Sequence, residues 1–262
     1  MGSSPNVENF TLGKGVVYFN RKNLTSGLYT GERDLGNAPS FNFSTAIEKL
    51  EHYSSRGGIR SKDKEIISQL TPSVSFSLDE ISLENLNLLT LGDIVTVSQT
   101  LQTVVDEPHV AHLGMRVDLA FRNISSVIVK KAGGTPTYVN GSDYVIDTSL
   151  KDDKIGRIYL KTTEEGGDIV EGDNIVVSYS AAAVTYKKIA AFKNTQIEGF
   201  LRFVSDNPAG NQQELQIWRV SLTPSGDTAM IGEDWSTLGF TGEVLKDSTG
   251  HPDSPYFDII DI

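Results

Sequence analysis

The sequence predicts a mainly β protein: a β-sandwich or barrel-like unit with one short flanking helix, and a second, smaller β-unit inserted into it. Three observations carry that expectation. Apolar and polar residues alternate with a period of two, most strictly in Val74-Ser-Phe-Ser-Leu-Asp79, as in a strand with one face on a core and one in water. Gly, Asn, Asp and Pro recur between such runs as turn chemistry. Only one segment departs from this rhythm toward a helical pattern.

In chain order the first β-rich run is Val16 to Phe19. Phe41, Phe43 and Ile47 then alternate against Asn42, Ser44 and Ala46, and the strict run from Val74 follows. Further runs are Val127 to Val129, Ile158 and Leu160 against Arg157, Tyr159 and Lys161, Ile175 to Tyr179, Ile197 to Val204 and Leu215 to Val220. The turns are Asn140-Gly141, Gly166-Gly167, Gly172-Asp173, Asn207-Pro-Ala-Gly210 and Pro224-Ser-Gly-Asp227. The helix is expected over 80–90, with Asp79 as its cap, acidic residues toward its start to suit the dipole, and Gly92 as a left-handed stop. Its Leu residues would plug one side of a β-structure.

Charge and turn spacing divide the chain. Residues 1–104, 105–186 and 187–262 carry nets of −2, −4 and −5. Within 105–186, turn signals every 8–12 residues or so are those of an immunoglobulin-like sandwich. The expected organisation is therefore a discontinuous domain, 1–104 with 187–262, and an inserted immunoglobulin-like β-domain at 105–186. Ala181-Ala-Ala183 reads as the exit from the insert.

Composition narrows the chemistry. The 262 residues hold 34 Asp+Glu against 23 Lys+Arg, a net charge of −11. Surfaces that grip nucleic acid through phosphates are basic, so that class is disfavoured. With no Cys, disulfides, thiolate metal sites and a cysteine nucleophile are excluded. No run approaches the roughly 18 apolar residues of a membrane span, and the first six residues lack the regions of a secretory signal. His109-Val-Ala-His112 supplies two ligands where zinc usually needs a third. Asp152-Asp153 and Glu164-Glu165 lie among turn residues, where solvation rather than a glycosidase cleft is expected. Gly13-Lys-Gly15 lacks phosphate-loop spacing, and no Gly-x-Ser-x-Gly elbow occurs. No catalytic residue, metal or cofactor is expected.

The unusual stretch is basic. From His52 to Lys64, Arg56, Arg60, Lys62 and Lys64 stand against Asp63 alone, a local +3 on an acidic chain. The 49–64 segment reads as a polar loop between two strands, and long loops in compact domains are usually functional or disordered. Lys49, His52, Tyr53, Arg56, Arg60, Lys62 and Lys64 are the candidate docking residues for an acidic neighbouring surface. The flanking segments 1–14 and 248–262 are long enough to reach a neighbour as well.

Taken in order, several motifs resemble the tail tube (major tail) proteins of tailed bacteriophages. They are Leu35-Gly-Asn-Ala-Pro39, Lys49-Leu-Glu-His-Tyr-Ser-Ser55, Gly58-Ile-Arg-Ser-Lys-Asp63, the passage from Asp79 to Gly92, Glu198-Gly-Phe-Leu-Arg-Phe203, and Trp235 to Val244. The resemblance covers two blocks on either side of 105–186. That middle block is similar to the immunoglobulin-like decorations such proteins carry. The resemblance implies a structural virion protein whose hexameric rings stack into a hollow tube for DNA ejection. It implies self-association, contacts with tape measure, tail tip and tail terminator proteins, and double-stranded DNA passing without specific binding. The implied location is the virion tail, with assembly in the host cytoplasm. Six copies would give each ring about 66 negative charges, suited to a lumen along which DNA slides. The rival expectation is an immunoglobulin-like adhesive module. It would need an exposed aromatic cluster on 105–186, with Tyr138, Tyr144, Tyr159 and Tyr179 as candidates.

Overall fold

The computed structural model describes residues 7–147 and 155–262. Strands hold 54% of the residues and helical turns 5%, so the protein is mainly β. After a 3₁₀ turn at Val7–Asn9 come β1 (Gly15–Lys22), β2 (Tyr29–Asp34), β3 (Ser40–Ser54) and β4 (Ser61–Leu78). The helix α1 (Leu83–Leu89) precedes β5 (Asp93–Gln99), β6 (Gln102–Val110), β7 (Arg116–Asp118), β8 (Ile124–Lys131), β9 (Thr137–Tyr138) and β10 (Tyr144–Ile146). The chain continues through β11 (Arg157–Leu160), β12 (Asn174–Ala181), β13 (Val184–Ala190) and β14 (Ile197–Ser205). It closes with β15 (Gln213–Pro224), β16 (Leu238–Val244) and β17 (Phe257–Asp261).

Contacts divide the chain into two units, Met1–Ile94 with Ile189–Ile262, and Val95–Lys188. The insert thus begins at Val95 rather than at residue 105. β6 pairs with β12 from Val110↔Asn174 back to Gln102↔Ala181 and so belongs to the insert's own sheet, and Gln99 before it donates to Arg122 O and Ala182 O. Charge counting carries no information about that pairing. The two crossings, β5 and β13, pair with each other.

In the first unit an antiparallel sheet runs in the order β2-β1-β14-β15-β16-β4-β3. One flank of β15 is shared: β17 takes positions 213–217 and β16 takes 220–224. The sheet is rolled. Phe41 of β3 stacks on Phe203 of β14 with ring centroids 4.9 Å apart, although three strands separate them in the sheet order. Alternation buries Val17 and Phe19, Val74, Phe76 and Leu78, Leu201, Ile217, Leu238 and Phe240 inside the roll. Each such side chain contributes about 1.5–3 kcal/mol through burial. At Gly242 a Cβ would stand within 3.0 Å of Val220, Val74 and Leu222 side chains, so the missing side chain lets this corner close.

The segment Leu35 to Pro39 explains where the helix starts. Leu35 is buried and its N–H donates to Val17 O at 3.0 Å. Asn37 Nδ2 donates to Asp79 Oδ2 at 2.6 Å, and Asp79 N–H donates back to Asn37 O. Asp79 is thereby committed to this loop and does not cap the helix. Ser82 does, accepting the Asn85 N–H at its hydroxyl at 3.1 Å. α1 is correspondingly shorter than the expected 80–90, and the left-handed residue at its end is Leu91 (φ 48°), not Gly92. Asn85 is fully buried: its amide donates to Leu35 O and Glu80 O, and its oxygen accepts from Arg33.

The second unit has a four-stranded sheet, β6-β12-β8-β9, and a three-stranded sheet, β10-β11-β7. Both contribute to one core that includes Val129, Ile158, Leu160, Ile175 and Val177. Its polar groups are satisfied internally. Tyr144 OH donates to Val127 O at 2.8 Å, and Tyr179 OH donates to Glu107 Oε2 at 2.5 Å. Burial, reinforced by that carboxylate, pushes the Tyr179 phenol up. Glu165 closes a capping box with Thr162, which gives one of the paired acids a structural role. Asp152 and Asp153 lie outside the described residues.

Candidate functional site

The basic segment is not a loop. β3 and β4 stay paired from Ser40↔Ser77 out to Ser54↔Ser61, leaving 55–60 as the turn. The inner part of this hairpin belongs to the rolled sheet. Beyond it, residues 45–53 and 61–70 are all exposed, so the strands project as a two-stranded arm. With neither face on a core, the arm shows no burial-driven alternation, and its polar character reads as a loop. Its strand signal lies instead in the β-branched and aliphatic residues that meet across it: Ile47↔Leu70 and Leu50↔Ile66.

Two ladder irregularities set the faces of the arm. Ser68 and Asp63 are extra residues on β4, between the partners of Glu48 and Lys49 and between those of His52 and Tyr53. The face continuous with the core then carries the pairs Ile47↔Leu70, Lys49↔Ile67, Glu51↔Glu65 and Tyr53↔Lys62. Two carboxylates directly opposed would repel. Lys49 pairs with Glu65 at 2.5 Å, while Lys62 bridges Glu51, at 2.5 Å, and Glu65. Hydrogen bonds from Lys49 and Lys62 hold the Glu65 carboxyl down to about 2. Those from Lys62 and Tyr53 lower Glu51, and the two carboxylates raise the Lys62 ammonium. On the opposite face His52 Nδ1 meets Asp63 at 2.5 Å beside Leu50 and Ile66.

This geometry revises the electrostatic reading. Five Lys and Arg stand against Glu48, Glu51, Asp63 and Glu65 over 48–65, a net of +1 rather than a +3 island. Lys49 and Lys62 are neutralised within the arm, and His52 and Tyr53 are held by Asp63 and Glu51. Among the described residues, Arg56 and Lys64 have no ion-pair partner, and Arg60 lies only over the Tyr53 ring, at 5.8 Å. The uncompensated charge therefore sits at the tip.

The more informative property is apolar. Ile47, Leu50, Ile59, Ile66, Ile67 and Leu70 are between 49% and 88% exposed. An isolated two-stranded ribbon is marginal in water, and here aliphatic side chains are exposed on both faces, Ile47, Ile67 and Leu70 on one and Leu50 and Ile66 on the other. β3 is also the terminal strand of the sheet, leaving its outer edge open to another strand. The charge pattern singles out this same segment but carries no sign of these aliphatics.

Other expected contact segments behave differently. β17 folds back onto β15, and Trp218 Nε1 donates to Ser254 O at 2.8 Å while its ring stacks on His251. This part of 248–262 is thus engaged with its own unit. Near the other end, Leu12 bridges to Ala209, and Phe10 is 74% exposed.

Side chains weighed for chemistry disperse. His109 pairs with Glu107 and His112 with Glu171, each at 2.9 Å, so the two rings are held by different carboxylates. Among the described residues no group of three or more His, Asp or Glu gathers as metal ligands. In a cleft of about 330 Å³ near β1, β2 and α1, Arg21 is held by Gly92 O and Asp93 and Arg33 by Asn85. Tyr138, Tyr144 and Tyr179 are buried, and Tyr159 donates to Glu165, so the four tyrosines form no exposed cluster. Among the described residues no helix is long and apolar enough to cross a membrane.

A model of the family described as "Protein of unknown function UCP028589" matches residues 10–260. No curated protein matches the chain.

Proposed function

For a chain that belongs to this family, we propose a structural role: subunits associate edge to edge into rings, and rings stack into a tube. The observation that carries it is the β3–β4 arm, whose aliphatic side chains and open edge are left uncovered by the chain itself. β2 and β3 are the two terminal strands of the rolled sheet. Pairing such edges between copies removes the free edge and closes a ring, while head-to-tail contacts propagate a stack.

The resemblance to bacteriophage tail tube proteins supports the more specific reading of hexameric rings in a virion tail, through which double-stranded DNA passes. In that setting the partners are further copies of the chain and the tape measure, tip and terminator proteins. The net charge of −11 per copy suits a wall that repels rather than holds DNA. Nothing in this role calls for catalysis or a cofactor.

Negative-stain microscopy of the purified protein during concentration tests the reading. Rings or tubes of uniform diameter are the expected outcome. Dispersed monomers at every concentration would sink it.

A further inference from the structure

The arm tip has a complement elsewhere in the same unit. The segment 225–237, between β15 and β16, contains Asp227, Glu233 and Asp234 and no Lys or Arg. It also displays Met230, Ile231 and Trp235 at 82%, 97% and 93% exposure. A nearly fully exposed Trp beside two exposed aliphatics is the composition of an interface centre. The tip offers the converse: Arg56 and Arg60 in the turn that holds Ile59, which is 88% exposed, with Lys64 farther down β4 opposite His52.

Their placement is as informative as their composition. The turn 55–60 lies at the start of β4, next to the Ser54↔Ser61 pair. Segment 225–237 leads into Leu238, which pairs with Leu78 at the end of β4. The two surfaces therefore cap opposite ends of one 18-residue strand, roughly 50 Å apart at strand rise. One chain cannot join them, whereas two copies displaced along that strand can.

We infer that the 55–64 tip of one copy docks on the 225–237 segment of the next, a head-to-tail contact joining basic and acidic surfaces around Ile59, Ile231 and Trp235. This rests on the assembly reading and specifies which surfaces meet. A docked pair still presents one free tip and one free acidic segment, so the contact is heterologous and extends from copy to copy.

The absence of Cys makes a direct test possible. A chain carrying Ile59→Cys and Ile231→Cys, assembled and then oxidised, should give a ladder of covalent multimers on a non-reducing gel. Either single variant should stay monomeric on the gel, because its cysteine then faces an isoleucine. In parallel, Arg56→Glu with Arg60→Glu and Lys64→Glu should cut the polymeric fraction by about tenfold or more at low salt, through repeated like-charge contact. Adding Asp227→Lys, Glu233→Lys and Asp234→Lys to that chain should restore it. Wild-type tubes with neither ladder nor rescue would overturn the pairing and leave the assembly reading standing. Wild-type chains that never assemble would overturn both. If the charge-reversed chain fails to fold by circular dichroism, the ladder alone decides, since both cysteines replace exposed side chains.

Discussion

The two units solve the problem of β-sheet surface in opposite ways. The insert closes on itself: two sheets share one core, and Tyr144, Tyr179 and Glu107 find their partners inside it. The first unit has a buried core of its own but sends half of its longest hairpin out of it, with Leu50, Ile59, Ile66 and Ile67 uncovered. The difference shows that exposure in the first unit is not a shortage of core. On the proposed assembly it is the surface that a further copy would cover.

The largest expected effect breaks the comparison outright. Replacing 47–70 by a short Gly-Asn turn, so that the Ala46↔Thr71 pair closes the hairpin, should leave a folded monomer that never forms tubes. Replacing Val95–Lys188 by a Gly/Ser linker should leave tubes thinner but continuous under the microscope. If the first chain polymerises or the second does not, the division of labour between the units is wrong.

Core truncations sharpen it next. Ile217→Ala and Ile175→Ala each empty a fully buried position, one in each unit, at a cost of about 2–5 kcal/mol. Calorimetry should show each substitution lowering its own unit's melting transition, and only Ile217→Ala should reduce assembly. Losing the helix cap is milder. Ser82→Ala should cost about 1 kcal/mol in urea unfolding, while Asp79→Ala should leave α1 capped, because Asp79 serves Asn37 instead.

The smallest effect is a titration. Glu65 is held below its ordinary value of 4.5, at about 2, so the unfolded arm binds the proton more readily than the paired one. Its contribution to pairing is complete above about 4.5 and is lost as the pH falls through about 2. Carboxyl-carbon NMR should place the Glu65 midpoint near 2, and in a Lys49→Ala variant the midpoint should rise.

Much of the buried framework was legible because burial writes a period of two. The alternating run from Val74 and the pair Ile158 and Leu160 fall on strands where alternation puts them, and the β-rich run Val16 to Phe19 falls on β1. Two kinds of feature left weaker traces. Asp79 and Ser82 are both good caps, and only the contact with Asn37, distant in sequence, decides between them. The arm reads as a loop because a ribbon exposed on both faces has no inside and outside for the sequence to record. Its register is written instead in the opposite charges of Lys49 and Glu65, meaningful only once the strands are aligned.

The two extra residues on β4 have a consequence for how such an arm could vary in length. Toward the tip, the core-side face takes Leu70, then Ile67 and Glu65, then Lys62, changing parity at Ser68 and again at Asp63. Each bulge absorbs one residue without transposing the faces beyond it. They act as expansion joints. Removing Ser68 alone would leave a regular ladder with Ile67 still beside Lys49. Deleting one residue between the joints would exchange inner and outer faces and part Lys49 from Glu65. Away from the joints the arm can lengthen only by two residues on each strand, in steps of roughly 7 Å, and its reach is therefore quantised.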